Sequence, residues 1–425
     1  MSFRFVHTAD VHLDSPLRSL ALRNPDLAAL ISNATRRTFV AIIDLCLSEQ
    51  VDALLIAGDL YDGDQTSMKT ARFLAEQLRR LEAAGIKTFI IRGNHDALSK
   101  ITKELVLPGT VKVFGGRAET VVVRDEPGYV PVAIHGLSFA QPRAPEGLLP
   151  RFKQPVAGAL NIGLMHTSLG GAPGHDVYAP CSPTELDQAG FHYWALGHIH
   201  KRSVTGAKGS IVMPGIPQGR DINEDGPKSV SLVVISNDGN VEVEERVLAV
   251  TQFERVAVDA TDAEDWTDLI GRIARALDRA RAAAVAEHLV VRLRITGGTP
   301  LAWQIRRDVD LLKAEAEMRA SILGNTWIEK LEITCAALMP APAPSLQDPL
   351  SELRGLVVSE ILPGPAFSRA MAAIADELRT QLPPECRAIF GQDEASSTDL
   401  ISRLAEEGAQ DVLARLHAGN SGEDR

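Results

Sequence analysis

The chain has 425 residues, 45% of them hydrophobic and 23% charged, with a formal net charge of −11. This length predicts two or three domains, and the acidic balance argues against a protein that coats nucleic acid through clustered Lys and Arg. It does not exclude a DNA-processing enzyme, because bound divalent cations add local positive charge.

The first ~245 residues read as alternating strands and helices. Apolar runs predict strands at Phe3–Thr8, Ala53–Ala57, Thr88–Ile91, Val130–Ile134, Ile162–Met165, Tyr193–Leu196, Ile211–Met213 and Val230–Ile235. Amphipathic helices are expected near Ala34–Glu49 and Ser67–Ala84, the second with Thr66 as N-cap and Gly85 at C′. A second pattern follows: strand Phe253–Val258, helix Trp266–Ala284, strand Leu289–Ile295, helix Ala302–Ile322 and strand Trp327–Thr334. Met339–Pro344 reads as a stiff proline-rich linker. Helices are expected beyond it at Pro349–Ile361, Ala366–Leu382 and Ser397–Leu416, the last with an amphipathic spacing of Leu400, Leu404, Leu413 and Leu416. The expected division is 1–248, 249–338 and 339–425. The fold class is α/β: a sandwich of β-sheets flanked by helices, then a small α+β domain and a helical C-terminal region.

The four cysteines (Cys46, Cys181, Cys335, Cys386) are scattered and form no Cys-x-x-Cys pair. They read as buried small residues in a reducing compartment. No apolar window approaches the ~20 residues of a membrane span. The opening Met-Ser-Phe-Arg-Phe-Val-His lacks signal-peptide character, so a cytoplasmic protein is expected.

Five blocks carry the chemistry: Asp10-Val-His12, Gly58-Asp59-Leu-Tyr-Asp62, Gly93-Asn94-His95-Asp96, His166, and Gly197-His198-Ile-His200. Each follows an apolar run, where open α/β sheets gather ligands. Asp10, His12, Asp59, Asn94, His166, His198 and His200 offer seven oxygen and nitrogen ligands and no thiolate, enough for two divalent metals. The two-residue spacings of Asp10/His12 and His198/His200 predict pairs facing one side of a strand end. The Asp59 carboxylate can bridge two ions. His95 is free to project toward substrate, with Asp96 as the carboxylate that would orient it. Each block alone has a blander reading as a turn or a core histidine; the ordered set does not. His7, His135, His175 and His192 read as structural or as supports behind the ligands. Arg220 reads equally well as a phosphate contact or a surface arginine.

The ordered set resembles the signature of the calcineurin-like metallophosphoesterases. Within that superfamily, His7–Asp14 and Gly58–Asp62 are most similar to SbcD-type DNA repair exonucleases. Pro214–Arg220 with Gly226–Lys228 resembles a segment of the YhaO-like branch. The motif match covers roughly residues 3–235. The resemblance implies one metal held by Asp10, His12, Asp59 and His200, and another by Asp59, Asn94, His166 and His198. It implies two Mn²⁺ ions as cofactors and catalytic roles for His95 and Asp96, with His95 protonating the leaving oxygen. It further implies a capping domain after the catalytic one, a homodimer, and an SbcC-type SMC-like coiled-coil ATPase docking on helices beyond the cap. Leu-Met-His166-Thr departs from the usual fourth block, and Asp96 stands where many relatives have Glu. The expected function is metal-dependent exonucleolytic cleavage of DNA ends or hairpins. The alternatives are a phosphodiesterase of small nucleotides or other phosphoesters, and a non-catalytic scaffold for an ATPase.

Overall fold

A computed structural model describes residues 2–15, 25–62, 67–97, 106–124, 128–141, 147–170, 178–206, 210–337, 349–382, 390–391 and 393–420. The chain opens with β1 (Ser2–Thr8), α1 (Pro25–Ser48), β2 (Ala53–Ala57), α2 (Met68–Ala83) and β3 (Lys87–Ile91). β4 (Val111–Val113), β5 (Glu119–Arg124), β6 (Val132–Gly136) and β7 (Leu160–His166) follow. Then come α3 (Pro183–Gln188), β8 (Tyr193–Gly197), β9 (Ser203–Thr205), β10 (Ile211–Met213), β11 (Ser229–Ser236) and β12 (Val241–Val247).

These strands make two six-stranded sheets, ordered β12-β11-β1-β2-β3-β4 and β5-β6-β7-β8-β10-β9. Strands β1 to β4 run parallel, as do β6, β7, β8 and β10. Strands covered on both faces need apolar residues at every position. Accordingly β2, β6, β7 and β8 are buried throughout. Phe5, Leu55, Phe89 and Ile91 of the first sheet pack against Ile134, Ile162 and Tyr193 of the second, filling the space between them. On the outer face of the first sheet, Val6, Leu54 and Ile56 meet Phe39 and Ile43 of α1 and Leu74 and Leu78 of α2. The α/β sandwich expected from the alternation is the fold.

Four strands of these two sheets escape the sequence reading: β4, β5, β9 and β12, the outermost ones. Helix α1 starts at Pro25, earlier than the expected Ala34. Helix α2 has Ser67 at its N-cap position without a side-chain cap bond, and Thr66 lies outside the described residues. Gly85 takes the C′ position with φ +74, a conformation that costs glycine little.

Further along lie β13 (Thr251–Asp259), α4 (Trp266–Ala283), β14 (His288–Thr296), β15 (Gly298–Thr299), α5 (Ala302–Arg307), α6 (Val309–Leu323), β16 (Thr326–Ile333) and β17 (Ala336–Ala337). β13, β14 and β16 form a three-stranded sheet in the order β13-β14-β16. The single helix expected over Ala302–Ile322 is two, because Asp308 leaves the helical conformation at φ −109, ψ 35. Its backbone N–H and C=O keep bonds to Gln304 O and Leu312 N–H, at 2.8 and 3.0 Å, and its carboxylate accepts from the Arg307 guanidinium at 2.9 and 2.7 Å. Helices α7 (Pro349–Leu356), extended by a π-helical turn over Val357–Ile361, α8 (Pro365–Gln381) and α9 (Glu394–Asn420) complete the chain. The proline-rich stretch Met339–Pro344 and Cys386 lie outside the described residues.

Two compact units result: one of residues 1–255, 281–292 and 325–329, and one of 256–280, 293–324 and 330–425. Strands β13, β14 and β16 are each divided between the two. Among the described residues, no helix is long and apolar enough to cross a membrane.

Candidate metal centre

The five blocks lie at the carboxyl ends of β1, β2, β3, β7 and β8, all parallel strands of the first unit. Their local backbone is not the extended strand that the two-residue spacings suggest. Asp10, His12 and Asp59 have left-handed φ of 52, 45 and 49, and His198 has φ 108. Asp10 and His12 converge because a loop turns after Thr8, not because a pleat alternates. Backbone bonds hold that loop, from Asp10 N to Gly58 O and from His12 N to Asp59 O, both 3.0 Å. Such conformations cost ~1–3 kcal/mol each and persist where the surroundings over-determine them. Two glycines make room. A Cβ on Gly58 (φ +97) would lie 2.4 Å from His166 Nδ1, and one on Gly93 would lie 2.3 Å from Asp59 Oδ1.

Two groups of ligand atoms share no residue, and a third, of His12, Asp62 and His95, joins the first through His12. Those of Asp10, His12 and His200 lie within 4.8 Å of one another, as do those of Asp59, His166 and His198. In the first group, His12 Nδ1 faces Asp62 Oδ1 at 2.7 Å and His200 Nδ1 faces Glu224 Oε1 at 2.8 Å. A carboxylate only accepts, so both Nδ1 atoms carry the proton and both Nε2 atoms present lone pairs. Those two Nε2 atoms are 3.2 Å apart. Facing lone pairs repel unless a cation lies between them, so the donor set fits a divalent ion.

The second group repeats the logic with different anchors. His166 Nδ1 donates to Ala57 O at 2.9 Å. Its Nε2 is 3.1 Å from Asn94 Oδ1 and 3.3 Å from Asp59 Oδ2. Burial opposes charge on His166, but Asp59 and then Asp10 outweigh it and push its pKa up to about 9 without a metal. Burial also resists charge on Asp59, whose carboxyl His166 and His12 nevertheless hold well below the usual range. Burial pushes the Asp10 carboxyl up, against the pull of His166 and His200. Both Asp10 oxygens accept the backbone N–H of His198, at 3.1 and 2.9 Å.

His95 is the exposed member, its side chain 47% accessible. The expectation that Asp96 orients it is corrected. Asp96 accepts the backbone N–H groups of Gly93 (2.6 Å) and Leu60 (3.0 Å), fastening the third block to the second. Burial, then the nearby Asp59, pushes its pKa up to about 7. The carboxylate at His95 Nδ1 is that of Asp62, 3.3 Å away, so Asp62 serves His12 and His95 together. The hydrogen bond to Asp62 raises the His95 pKa.

Sequence reasoning assigns Asp62 no role and misses Glu224. The second Asp of Gly-Asp-x-x-Asp signals the first; nothing local signals the second. Arg220 is not a free surface arginine, for its guanidinium lies on Glu224 with Nη2 2.6 Å from Oε1. Its Nη1 is 3.5 Å from Ser15 Oγ. His7, buried between Tyr193 OH and Leu196 O, is drawn down to about 3 by burial. His135 and His192 are bonded to Asn161. Of the basic residues near the blocks that could touch phosphates, Lys100 and Lys103 lie outside the described residues, as does His175. Lys201 is exposed, and Arg202 donates to Ser231 Oγ at 2.8 Å.

Residues 3–202 match the family model described as calcineurin-like phosphoesterase, and residues 253–336 that of the middle domain of metallophosphoesterase YhaO. An uncharacterised metallophosphoesterase YhaO from Bacillus subtilis is 33% identical over 297 residues, 70% of this chain and 72% of its own. This chain belongs to the calcineurin-like phosphoesterase family. A DNA double-strand break repair protein Mre11 from Aeropyrum pernix is 27% identical over 66% of this phosphoesterase and 69% of its own chain. A component of the nuclease SbcCD from Rhodobacter capsulatus is 28% identical over 38% of this phosphoesterase and 41% of its own chain. Among solved structures, a dimetal phosphatase from Danio rerio covers 58% of this phosphoesterase and 98% of that chain. It is 10% identical, with a TM-score of 0.34.

Proposed function

We propose that this phosphoesterase is a two-metal DNA exonuclease. The observation that carries the reading is the convergence of lone pairs in two adjoining groups, with the half-exposed His95 beside them. The relatives that are named DNA break repair proteins and a nuclease support DNA as the substrate. One ion would be held by Asp10, His12, Asp59 and His200, and a second by Asp59, Asn94, His166 and His198. Mn²⁺ suits this mixed oxygen and nitrogen set. When bound, such a pair acidifies a water and draws charge from the phosphoryl oxygens.

The chain's own groups do the rest. With its Nδ1–H turned to Asp62, His95 offers Nε2 as the atom that holds a proton for the departing sugar oxygen. Arg220, fixed along one edge by Glu224, turns Nη1 to the Ser15 side of the site as a phosphate contact. Asp96 has a structural role in this scheme, joining the loops that carry Asp59 and Asn94. The reading includes a cytoplasmic setting, a homodimer and an SMC-like ATPase partner of the SbcC type on the C-terminal helices. There, Leu404 and Leu416 of α9 leave 49% and 45% of their surface open.

The deciding experiment is digestion of end-labelled linear duplex by the full chain with Mn²⁺, beside Asp59→Asn. Manganese-dependent digestion that the substitution abolishes is expected, and the product sizes give the polarity. Hydrolysis of a small diester with no digestion of DNA, even after the ATPase is added, would replace DNA with a small phosphodiester as the substrate.

A further inference from the structure

We infer that Glu224 is a positioning residue, a single carboxylate that sets the ligating nitrogen of His200 and the orientation of Arg220 together. The inference rests on the reading of the site as a metal centre.

Only 10% of the Glu224 side chain is accessible, and its two oxygens serve two residues. Oε1 accepts His200 Nδ1–H at 2.8 Å and Arg220 Nη2–H at 2.6 Å. Oε2 accepts the Arg220 backbone N–H at 2.7 Å, and both oxygens lie 3.2 Å from Arg220 Nε. The first bond keeps the His200 proton on Nδ1 and aims the Nε2 lone pair at His12 and Asp10. The others hold the guanidinium edge-on against the carboxylate, with Nη2 3.4 Å from His200 Nδ1, so that one oxygen fixes both donors side by side.

The surrounding segment is built to keep this carboxylate still. Glu224 lies between Pro214–Arg220 and Gly226–Lys228, the two pieces that resemble the YhaO-like branch and that the ligand set leaves unexplained. Gln218 is 1% exposed and spends its amide fully. Its Oε1 accepts from Thr38 Oγ1 and the Val250 and Thr251 amides, and its Nε2 donates to the Gly219 and Thr251 carbonyls. Ile216 N donates to His200 O at 3.1 Å. Gly215 has φ +77, and a Cβ there would meet that carbonyl oxygen at 2.7 Å. Arg255 clamps the turn that carries Glu224, donating to Asp225 Oδ2 at 2.6 Å and Asn223 Oδ1 at 3.0 Å. A carboxylate that only neutralised a surface arginine would need none of this stitching.

Glu224→Gln separates positioning from packing, since the amide has the same shape. Its NH₂ group cannot accept from His200 or Arg220, and where it meets Nδ1 it drives the proton onto Nε2, the ligating atom. Calorimetric titration of the full chain with Mn²⁺ alone is the test, with His200→Gln as the benchmark. Glu224→Gln is expected to weaken one Mn²⁺ binding event on the order of 10–100-fold, the same event that His200→Gln removes. Unchanged Mn²⁺ affinity in Glu224→Gln overturns the inference, even if activity falls.

A second measurement needs no folded Glu224 variant. In histidine ¹⁵N spectra of the metal-free native chain, His200, assigned by its loss in His200→Gln, is expected as the Nδ1–H tautomer. The Nε2–H tautomer overturns the inference. A native chain that binds two Mn²⁺ ions but cuts no DNA, even after the ATPase is added, ends the nuclease reading and leaves the role of Glu224 intact; one that binds no Mn²⁺ ends both.

Discussion

The two ligand groups differ in what holds their histidines. In the first, His12 and His200 lean on the side-chain carboxylates of Asp62 and Glu224. In the second, His166 leans on the backbone carbonyl of Ala57. Both groups are buried except at His200 of the first, whose side chain is 26% exposed. A carboxylate behind an imidazole raises its basicity and can be removed by one substitution. A carbonyl in the sheet core changes only if the sheet does. The first group is therefore the adjustable one, connected through Asp62 to His95 and through Glu224 to Arg220, and the second is built into the fold.

Substitutions that strike one group and spare the other sharpen or break this contrast. The largest effect on stability is expected from His166→Ala, which strips the buried Asp59 and Asp10 of their common partner. Breaking such a buried pairing costs ~3–5 kcal/mol, read by urea unfolding of the metal-free chain. A change below ~1 kcal/mol would mean that the second group does not belong to the core's stability. His95→Ala should lower kcat for a diester by roughly 10²–10⁴-fold while the bound Mn²⁺ per chain stays constant. Parallel loss of metal and rate would remove His95 from its proton-holding role.

Asp62→Asn should weaken Mn²⁺ binding at the first group roughly 10–100-fold, with a matching fall in rate. The second group should be untouched, and equal weakening of both would erase the distinction between them. At the small end, Arg72→Ala deletes a pair with Glu76 whose side chains are 82% and 48% exposed. It should shift stability by no more than ~0.5 kcal/mol and leave Mn²⁺ binding alone.

Several features are legible without coordinates. The interior strands are continuous apolar runs because both faces are covered, so Ala53–Ala57 and Tyr193–Gly197 announce themselves. The outer strands do not. Val241–Val247 alternates Val with Glu and is only half-buried, and Val111–Val113 and Ser203–Thr205 are three residues each. A strand with one neighbour and an open side needs charge and brevity more than apolar character. The alternation of Val241–Val247 is nonetheless a usable signal. Apolar spacing merges α5 and α6 into one helix because it continues through Asp308, whose backbone departs from helical angles while its N–H and C=O keep partners four residues away.

What the sequence determined by itself was the sandwich, the order of the blocks and the residue types able to bind metal, since these follow from apolar continuity and donor chemistry in short windows. Only the tertiary structure decided which carboxylate serves which histidine. Asp96 is adjacent to His95 in sequence, yet it turns inward to two backbone amides, while Asp62 arrives from the end of another strand. Glu224 reaches His200 from 24 residues away. Local order along the chain specifies what a side chain can donate or accept. The partner it meets depends on where strand ends and loops are packed together, and left-handed turns such as those at Asp10 and His12 give no periodic signal to read.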